Sequence, residues 1–286
     1  MNVKKYLDKL EDLEGQKIIV TGGTSGIGLS IVKELLYKGA EVVVLARNLT
    51  KANEVKIKLE SKYINSLISI VEYDQSDDRS ILNAVEVIVN QHSDFDAFIM
   101  NAGIFQKGKT TCVDDIPLTI KTNFVGLKVL LDNLLPRLKD KHRFIFQGSL
   151  AAGFCQKNIT TLKDKKLSSW QQYIISKSGV EAMFYHYSKL KQNQFSFCLV
   201  EPGITSTDII REFSPFIRWA GKIFLKVFSH SNDRAALTAL LAVQSTTENN
   251  SFIVPRGLGT YMGYPKIKKF PRKRERNHLY DLLGEN

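Results

Sequence analysis

The spacing of apolar positions along the chain switches repeatedly between two periods. Short runs rich in β-branched and aromatic residues stand at Ile18–Val20, Val42–Leu45, Leu67–Val71, Phe95–Met100, Phe144–Phe146 and Phe195–Val200. Each predicts a short buried strand. Between them, Ile27–Tyr37, Lys51–Tyr63, Ser80–Asn90, Leu118–Leu138 and Gln172–Lys191 carry apolar residues at three- and four-residue spacings, which predicts helices with one buried face. Such alternation predicts an α/β fold, a doubly wound parallel sheet with helices on both faces. The strand runs are continuously apolar, as a sheet without a wet side requires. Ligands bind such sheets beyond the carboxyl ends of the strands, so the residues after each run carry the functional information.

No linker rich in Pro, Gly or Ser and no internal repeat divides the 286 residues, so one domain is expected. Residues 1–14 read as a lead-in, 15–260 as the domain, and 261–286 as a basic extension. The formal charge of +11 is partly local, since Lys266, Lys268, Lys269, Arg272, Lys273, Arg274 and Arg276 face only Glu275. A solvated tail is the plain reading, and contact with an anionic membrane leaflet the sharper one. No nucleic-acid motif or stacking platform accompanies the charge. Three cysteines (Cys112, Cys155, Cys198) without a C-x-x-C pair, and five histidines without metal spacing, predict no metal site and a reducing compartment. Met1 to Glu14 is charged and lacks the apolar core of a signal peptide. No apolar run reaches the roughly 18 residues of a bilayer span. A cytoplasmic protein is expected.

The first strand ends in Thr21-Gly22-Gly23-Thr24-Ser25-Gly26-Ile27-Gly28 and runs directly into a helix. Glycines at 22, 26 and 28 permit a tight turn and close approach of backbone to a pyrophosphate, which the helix N-terminus favours electrostatically. The alternative is a bland glycine turn. This T-G-x-x-x-G-x-G spacing resembles the short-chain dehydrogenase/reductase family. Further matches follow in order. Asn101-Ala102-Gly103 resembles the N-A-G motif, with Met100 where an Asn usually precedes it. Asn123 resembles the active-site Asn, Ser149 the Ser after strand five, Tyr173-Ile174-Ile175-Ser176-Lys177 the Y-x-x-x-K motif, and Pro202-Gly203 the segment after strand six. The resemblance covers about residues 15–260 and implies a Rossmann-type fold. Ser149 precedes Tyr173 by 24 residues, whereas many members have roughly a dozen. The polar stretch from Thr160 to Trp170 is similar to the retinol-dehydrogenase-like branch.

The family likeness implies a nicotinamide cofactor contacted by Thr21, Gly22, Thr24, Ser25, Gly26, Ile27, Gly28, Arg47, Asn48, Asp74, Gln75, Asn101, Ala102, Gly103, Tyr173, Lys177, Pro202, Gly203, Ile204 and Thr207. An NAD site needs an acid at the end of strand two for the ribose 2′-hydroxyl. That strand ends Leu45-Ala46-Arg47-Asn48. A guanidinium there can pair with a 2′-phosphate, which points to NADP(H). The resemblance assigns Asp74 to the adenine, the Ile204 backbone to the carboxamide, and the Thr207 hydroxyl to its vicinity.

Tyr173 and Lys177 stand four apart on a helical stretch and so leave the same face. Free tyrosine is only about 0.1% phenolate at neutral pH. An ammonium about 4 Å away supplies roughly the 4 kcal/mol needed to lower the phenol by about 3 units. Such a phenol exchanges a proton with a carbonyl or alcohol oxygen. By resemblance, Ser149 orients that oxygen, Lys177 holds the ribose, and Asn123 positions a water leading from Lys177 to solvent. No G-x-S-x-G elbow surrounds Ser149, which excludes a serine-hydrolase reading.

Residues 205–230 are expected to form a substrate lid. Phe213, Phe216, Ile217, Trp219, Ile223, Phe224, Leu225, Val227 and Phe228 make it apolar, while Arg218, Lys222 and Lys226 form one basic stripe. Packing over the cofactor, an apolar substrate pocket and membrane contact are the alternatives. The expected activity is NADP(H)-dependent interconversion of carbonyl and alcohol on an apolar small molecule, in a homodimer or homotetramer. The rival is an NADP(H)-sensing regulator or scaffold with the same fold.

Overall fold

The computed structural model describes residues 2–139, 141–155, 159–191, 194–205, 230–257, 260–271 and 277–284. A short helix α1 (Val3–Leu7) leads into β1 (Lys17–Thr21), α2 (Gly26–Tyr37), β2 (Glu41–Ala46), α3 (Leu49–Lys62), β3 (Ile68–Glu72), α4 (Asp78–Gln91) and β4 (Ala97–Met100). Asn48 caps α3 by accepting from the Lys51 amide, and Asp77 caps α4 by accepting from that of Arg79. A hairpin of β5 (Cys112–Val113) and β6 (Ile116–Pro117) follows, then α5 (Leu118–Ile120), α6 (Gly126–Leu134) and β7 (Arg143–Gln147). The chain continues through α7 (Ser169–Leu190), β8 (Ser196–Val200), α8 (Asn232–Val243), β9 (Ser251–Pro255), β10 (Pro265–Lys268) and α9 (Asn277–Asp281).

The large sheet has the order β3-β2-β1-β4-β7-β8-β9-β10 and is parallel except for β10, which runs antiparallel to β9. Successive strand residues pack to opposite faces. Ile19, Val43, Leu45, Phe98, Phe144 and Phe146 share a core with α4, α6 and α7. Ile18, Val20, Val42, Val44, Ile99 and Ile145 share the other with α2 and α8. Each such side chain withdrawn from water contributes roughly 1.5–3 kcal/mol, so both faces hold the sheet. Strand order reverses between β1 and β4, and ligands of such sheets bind beyond the carboxyl ends at this point.

The stretch expected as one helix, Leu118–Leu138, is interrupted. After α5 the backbone makes a π-helical turn over Lys121–Val125, and α6 closes in a 3₁₀ turn at Leu135–Arg137. Single π turns admit one extra residue and cluster at functional sites. The basic extension begins inside the sheet as edge strand β10. Helix α9 packs against α7, with Leu279 fully buried and Tyr280 stacked on His186 at 3.6 Å.

Candidate active site

The turn from β1 to α2 is shaped by contact with the loop after β4. Gly22 has φ of 72°, and a Cβ there would stand 3.1 Å from the Ala102 Cα. A Cβ on Gly28 would lie 2.2 Å from the Gly22 carbonyl oxygen, a distance no side chain tolerates. Asn101 Nδ2 donates to the Thr21 carbonyl at 3.0 Å, and the Ala102 amide donates to Thr21 Oγ1 at 2.9 Å. Thr21, Asn101 and Ala102 are thereby joined in one cradle. Ser25 precedes α2 without a side-chain cap, so the first amides of that helix have no Ser25 hydroxyl turned back on them. This end of α2 suits a phosphate. Thr24 and Ile27 are partly buried, and Ser25 and Gly26 are exposed.

Beyond β2, Arg47 is 71% exposed and its Nη1 stands 3.8 Å from Asp74 Oδ2. Asn48 serves as the α3 cap. Asp74 Oδ1 accepts from the Ser76 amide and hydroxyl at 2.9 and 2.6 Å, which fixes the turn after β3. Gln75 is buried. Its Nε2 donates to the Thr122 carbonyl at 2.7 Å, and its Oε1 accepts from the Tyr73 hydroxyl. Gln75 thus ties the turn after β3 to the π turn.

Asn123 sits in that π turn, 1% exposed. Its Oδ1 accepts from the Ile104 amide at 2.7 Å, and its Nδ2 donates to the Ile104 carbonyl at 2.9 Å and to Ser176 Oγ at 3.1 Å. The side-chain amide pairs with Ile104 as a neighbouring strand would. Lys121, in the same turn, is held by Asp78 at 2.9 Å and Asp114 at 2.8 Å. A Cβ built on Gly103 would be 3.3 Å from Asn123 Oδ1 and 3.4 Å from Lys177 Nζ. The β4 loop, the π turn and α7 therefore converge at one point.

Helix α7 starts with a capping box in which Ser168 and Gln171 satisfy each other's backbone amides. It projects Tyr173 and Lys177 toward the end of β7. Ser149, just past that strand, hydrogen-bonds Tyr173 and also accepts from the Ala151 amide at 3.2 Å. Lys177 Nζ donates to the Gln147 carbonyl at 3.0 Å. Burial brings Lys177 down to about 8. The expected lowering of Tyr173 is not found in the chain by itself. Burial raises its pKa, opposed by the hydrogen bond from Ser149, because removal from water disfavours phenolate.

After β8, the Pro202 carbonyl lies 2.6 Å from His230 Nε2. The Ile204 amide donates to the Tyr261 carbonyl at 2.7 Å, and the Ile204 carbonyl accepts from the His230 amide at 3.0 Å. Both backbone groups of Ile204 are thus engaged within the chain. Gly203, between Pro202 and Ile204, is held in the same corner. His230 and Tyr261 were not foreseen at the site; the Pro-Gly segment was the only signal near them. Thr207 and the apolar stretch 206–229 lie outside the described residues. No cluster of His, Cys, Asp or Glu suited to a metal occurs among the described residues. None of their helices is long and apolar enough to cross a membrane.

A profile described as short chain dehydrogenase matches residues 16–217. The chain belongs to the short-chain dehydrogenase family. Two curated relatives come from Homo sapiens. Polyprenol dehydrogenase is 26% identical over 234 residues, 78% of this chain and 71% of its own length. Retinol dehydrogenase 11 is 26% identical over 232 residues, 80% of this chain and 72% of its own. Among solved structures, a short chain dehydrogenase from Burkholderia cenocepacia in complex with NADP aligns with a TM-score of 0.66. It is 22% identical and the match covers 82% of this chain and 92% of that one. This short-chain dehydrogenase therefore has the fold and class of an oxidoreductase family.

Proposed function

We propose that the protein interconverts a carbonyl and an alcohol on an apolar substrate, with NADP(H) as its cofactor. The observation that carries the reading is the hydrogen bond between Ser149 and Tyr173 beside the buried Lys177. The steric cradle at Gly22 and Gly28, with the uncapped start of α2, fits a dinucleotide pyrophosphate. Lys177 would lie along its ribose, Arg47 beside a 2′-phosphate, and Pro202 and Gly203 toward its nicotinamide end. When bound, the cofactor supplies or accepts the hydride. Ser149 Oγ accepts or donates at the substrate oxygen and holds it against Tyr173. Burial keeps the Tyr173 hydroxyl protonated through the neutral range, so the resting site is set to donate a proton, as carbonyl reduction requires. Lys177 is a cation below about pH 8 and supports negative charge that develops on the phenol oxygen. Asn123 secures the loop carrying Gly103 and Ile104, and with it the gap between that loop and Lys177.

The apolar composition of 213–228 and the names of the two human relatives support an apolar substrate. The test is a panel of carbonyl compounds and alcohols followed by nicotinamide absorbance. Efficiency is expected to climb several-fold per added carbon at roughly 0.8 kcal/mol per buried methylene. No turnover across the panel, or a preference for polyhydroxylated compounds, would overturn it. A chain that only senses the nucleotide has no need of a serine hydrogen-bonded to a tyrosine beside a buried lysine.

A further inference from the structure

The π turn that carries Asn123 borrows a hydrogen bond from another part of the chain. In an α-helical turn the Gly126 amide would donate to the Thr122 carbonyl, but here it donates to the Lys121 carbonyl. The Thr122 carbonyl accepts instead from Gln75 Nε2 at 2.7 Å. Gln75 is 5% exposed, and the other end of its amide accepts from the Tyr73 hydroxyl at 3.2 Å. The loop after β3 meets the turn a second time. A Cβ on Gly126 would stand 1.8 Å from the Gln75 carbonyl oxygen, so only glycine lets the two segments close.

Asn123 follows Thr122 directly. Its amide grips both backbone groups of Ile104 and donates to Ser176 Oγ at 3.1 Å. Ser176 Oγ donates in turn to the Tyr173 carbonyl at 2.9 Å. Bonds from Asn123 therefore reach both the β4 loop and the backbone of Tyr173. We infer that Gln75 is a positioning residue: it supplies the donor that the π turn lacks, and so holds Asn123 where it keeps Ile104 and Tyr173 in register for proton transfer. Without that donor the buried Thr122 carbonyl is satisfied by drawing the Gly126 amide back to it. That shift of one residue swings a helical side chain through roughly 100° and takes Asn123 off Ile104 and Ser176. The turn beside Asp74 does not depend on the Gln75 side chain. Ser80 Oγ accepts from the Asp74 amide at 2.9 Å, and Asp74 Oδ1 accepts from the Ser76 amide. Cofactor affinity is therefore expected to survive the loss of Gln75. This rests on the proposed function above and goes beyond it by naming a residue that acts on the reaction only through Asn123.

The experiment compares the unaltered protein with Gln75→Met, which fills the space without the donor, and with Tyr73→Phe, which breaks the other bond of the same buried amide. For each, kcat and KM with one carbonyl substrate, NADPH affinity, the denaturant midpoint and the hydrogen-exchange rate of the Ile104 amide are measured. Gln75→Met is expected to lower kcat about five- to tenfold and to speed Ile104 exchange by at least about fivefold, with KM and NADPH affinity within about twofold. Tyr73→Phe is expected to keep both kcat and Ile104 exchange within about twofold, although it too loses a buried hydrogen bond. Should Gln75→Met fail to fold, Gln75→Asn, whose shorter amide stops short of Thr122, is expected to give the same result. Equal losses of kcat in the Gln75 and Tyr73 variants, following their denaturant midpoints, would mean that Gln75 is only structural and would overturn the inference. Full kcat or unchanged Ile104 exchange in a folded Gln75 variant would overturn it too, while leaving the proposed function standing. No turnover by the unaltered protein would overturn both.

Discussion

Lys121, in the turn that carries Asn123, and Lys177, on α7, are both withdrawn from water, 3% and 6% exposed, yet their surroundings give them opposite characters. Burial alone pushes Lys121 down, but hydrogen bonds to Asp114 and Asp78 outweigh it and leave its pKa above the ordinary lysine value. Lys177 donates to the neutral Gln147 carbonyl, and burial brings it to about 8. A carboxylate partner fixes a buried cation as a strut. A backbone dipole leaves it titratable near the working pH, which is where acid–base chemistry needs it. The π turn around Lys121 is thus built to hold Asn123, and the α7 face around Lys177 to change charge.

The largest effect is expected at Lys177. Lys177→Ala should lower kcat/KM by about 100-fold or more and weaken NADPH binding as well, measured by steady-state kinetics and calorimetry. The protonated form is the one that supports the phenol, so it is present below about pH 8 and lost above. Carbonyl reduction should accordingly hold steady from pH 6 to 7.5 and fall as pH rises through 8. Lys177→Arg, which keeps its charge, should lack that break. A profile in the unaltered protein that stays flat to pH 9.5 would erase the distinction between the two lysines.

Lys121→Ala should act on stability instead. It leaves Asp78 and Asp114 without their cation, and both carboxylates are half exposed or more, so water recovers part of the loss. A cost of about 1–2 kcal/mol is expected from denaturant midpoints, with kcat/KM within a few-fold at a temperature where the variant is folded. A loss of activity matching that of Lys177→Ala, with stability intact, would contradict the comparison.

The smallest effect is at the rim. Arg47 is largely exposed, and its replacement by Ala should reduce a preference for NADPH over NADH by about tenfold, near 1.4 kcal/mol. Titration of both proteins with both cofactors measures it. Equal affinities for the two cofactors in the unaltered protein would show that Arg47 serves only Asp74.

Strands β1 to β4, β7 and β8 were legible in the sequence because they read as unbroken apolar runs; β9, Ser251–Pro255, is just as buried and apolar and was overlooked. Elements that depart from that pattern were not legible. Helix α8 is buried nearly all round, from Ala235 to Val243, so it lacks the polar face by which a helix is recognised. Strand β10 is an edge with Lys266 and Lys268 on either side of Ile267, and it reads as a basic tail. The π turn adds a single residue to an apolar stretch, which a period of 3.6 does not reveal. At the site, the spacing of Tyr173 and Lys177 was plain, whereas the charge state of each is set by burial, which spacing does not encode. The depth of Gln75 and the engagement of Ile204 by Tyr261 and His230 likewise arise from contacts distant in sequence.

Tyr173→Phe tests the central claim most directly, because it removes one hydroxyl and keeps the ring. Turnover and NADPH affinity should be measured on the same preparation. The account predicts that carbonyl reduction falls by at least about 100-fold, while NADPH affinity stays within a few-fold of the unaltered protein. A Tyr173→Phe protein that binds NADPH and keeps most of its turnover would contradict it.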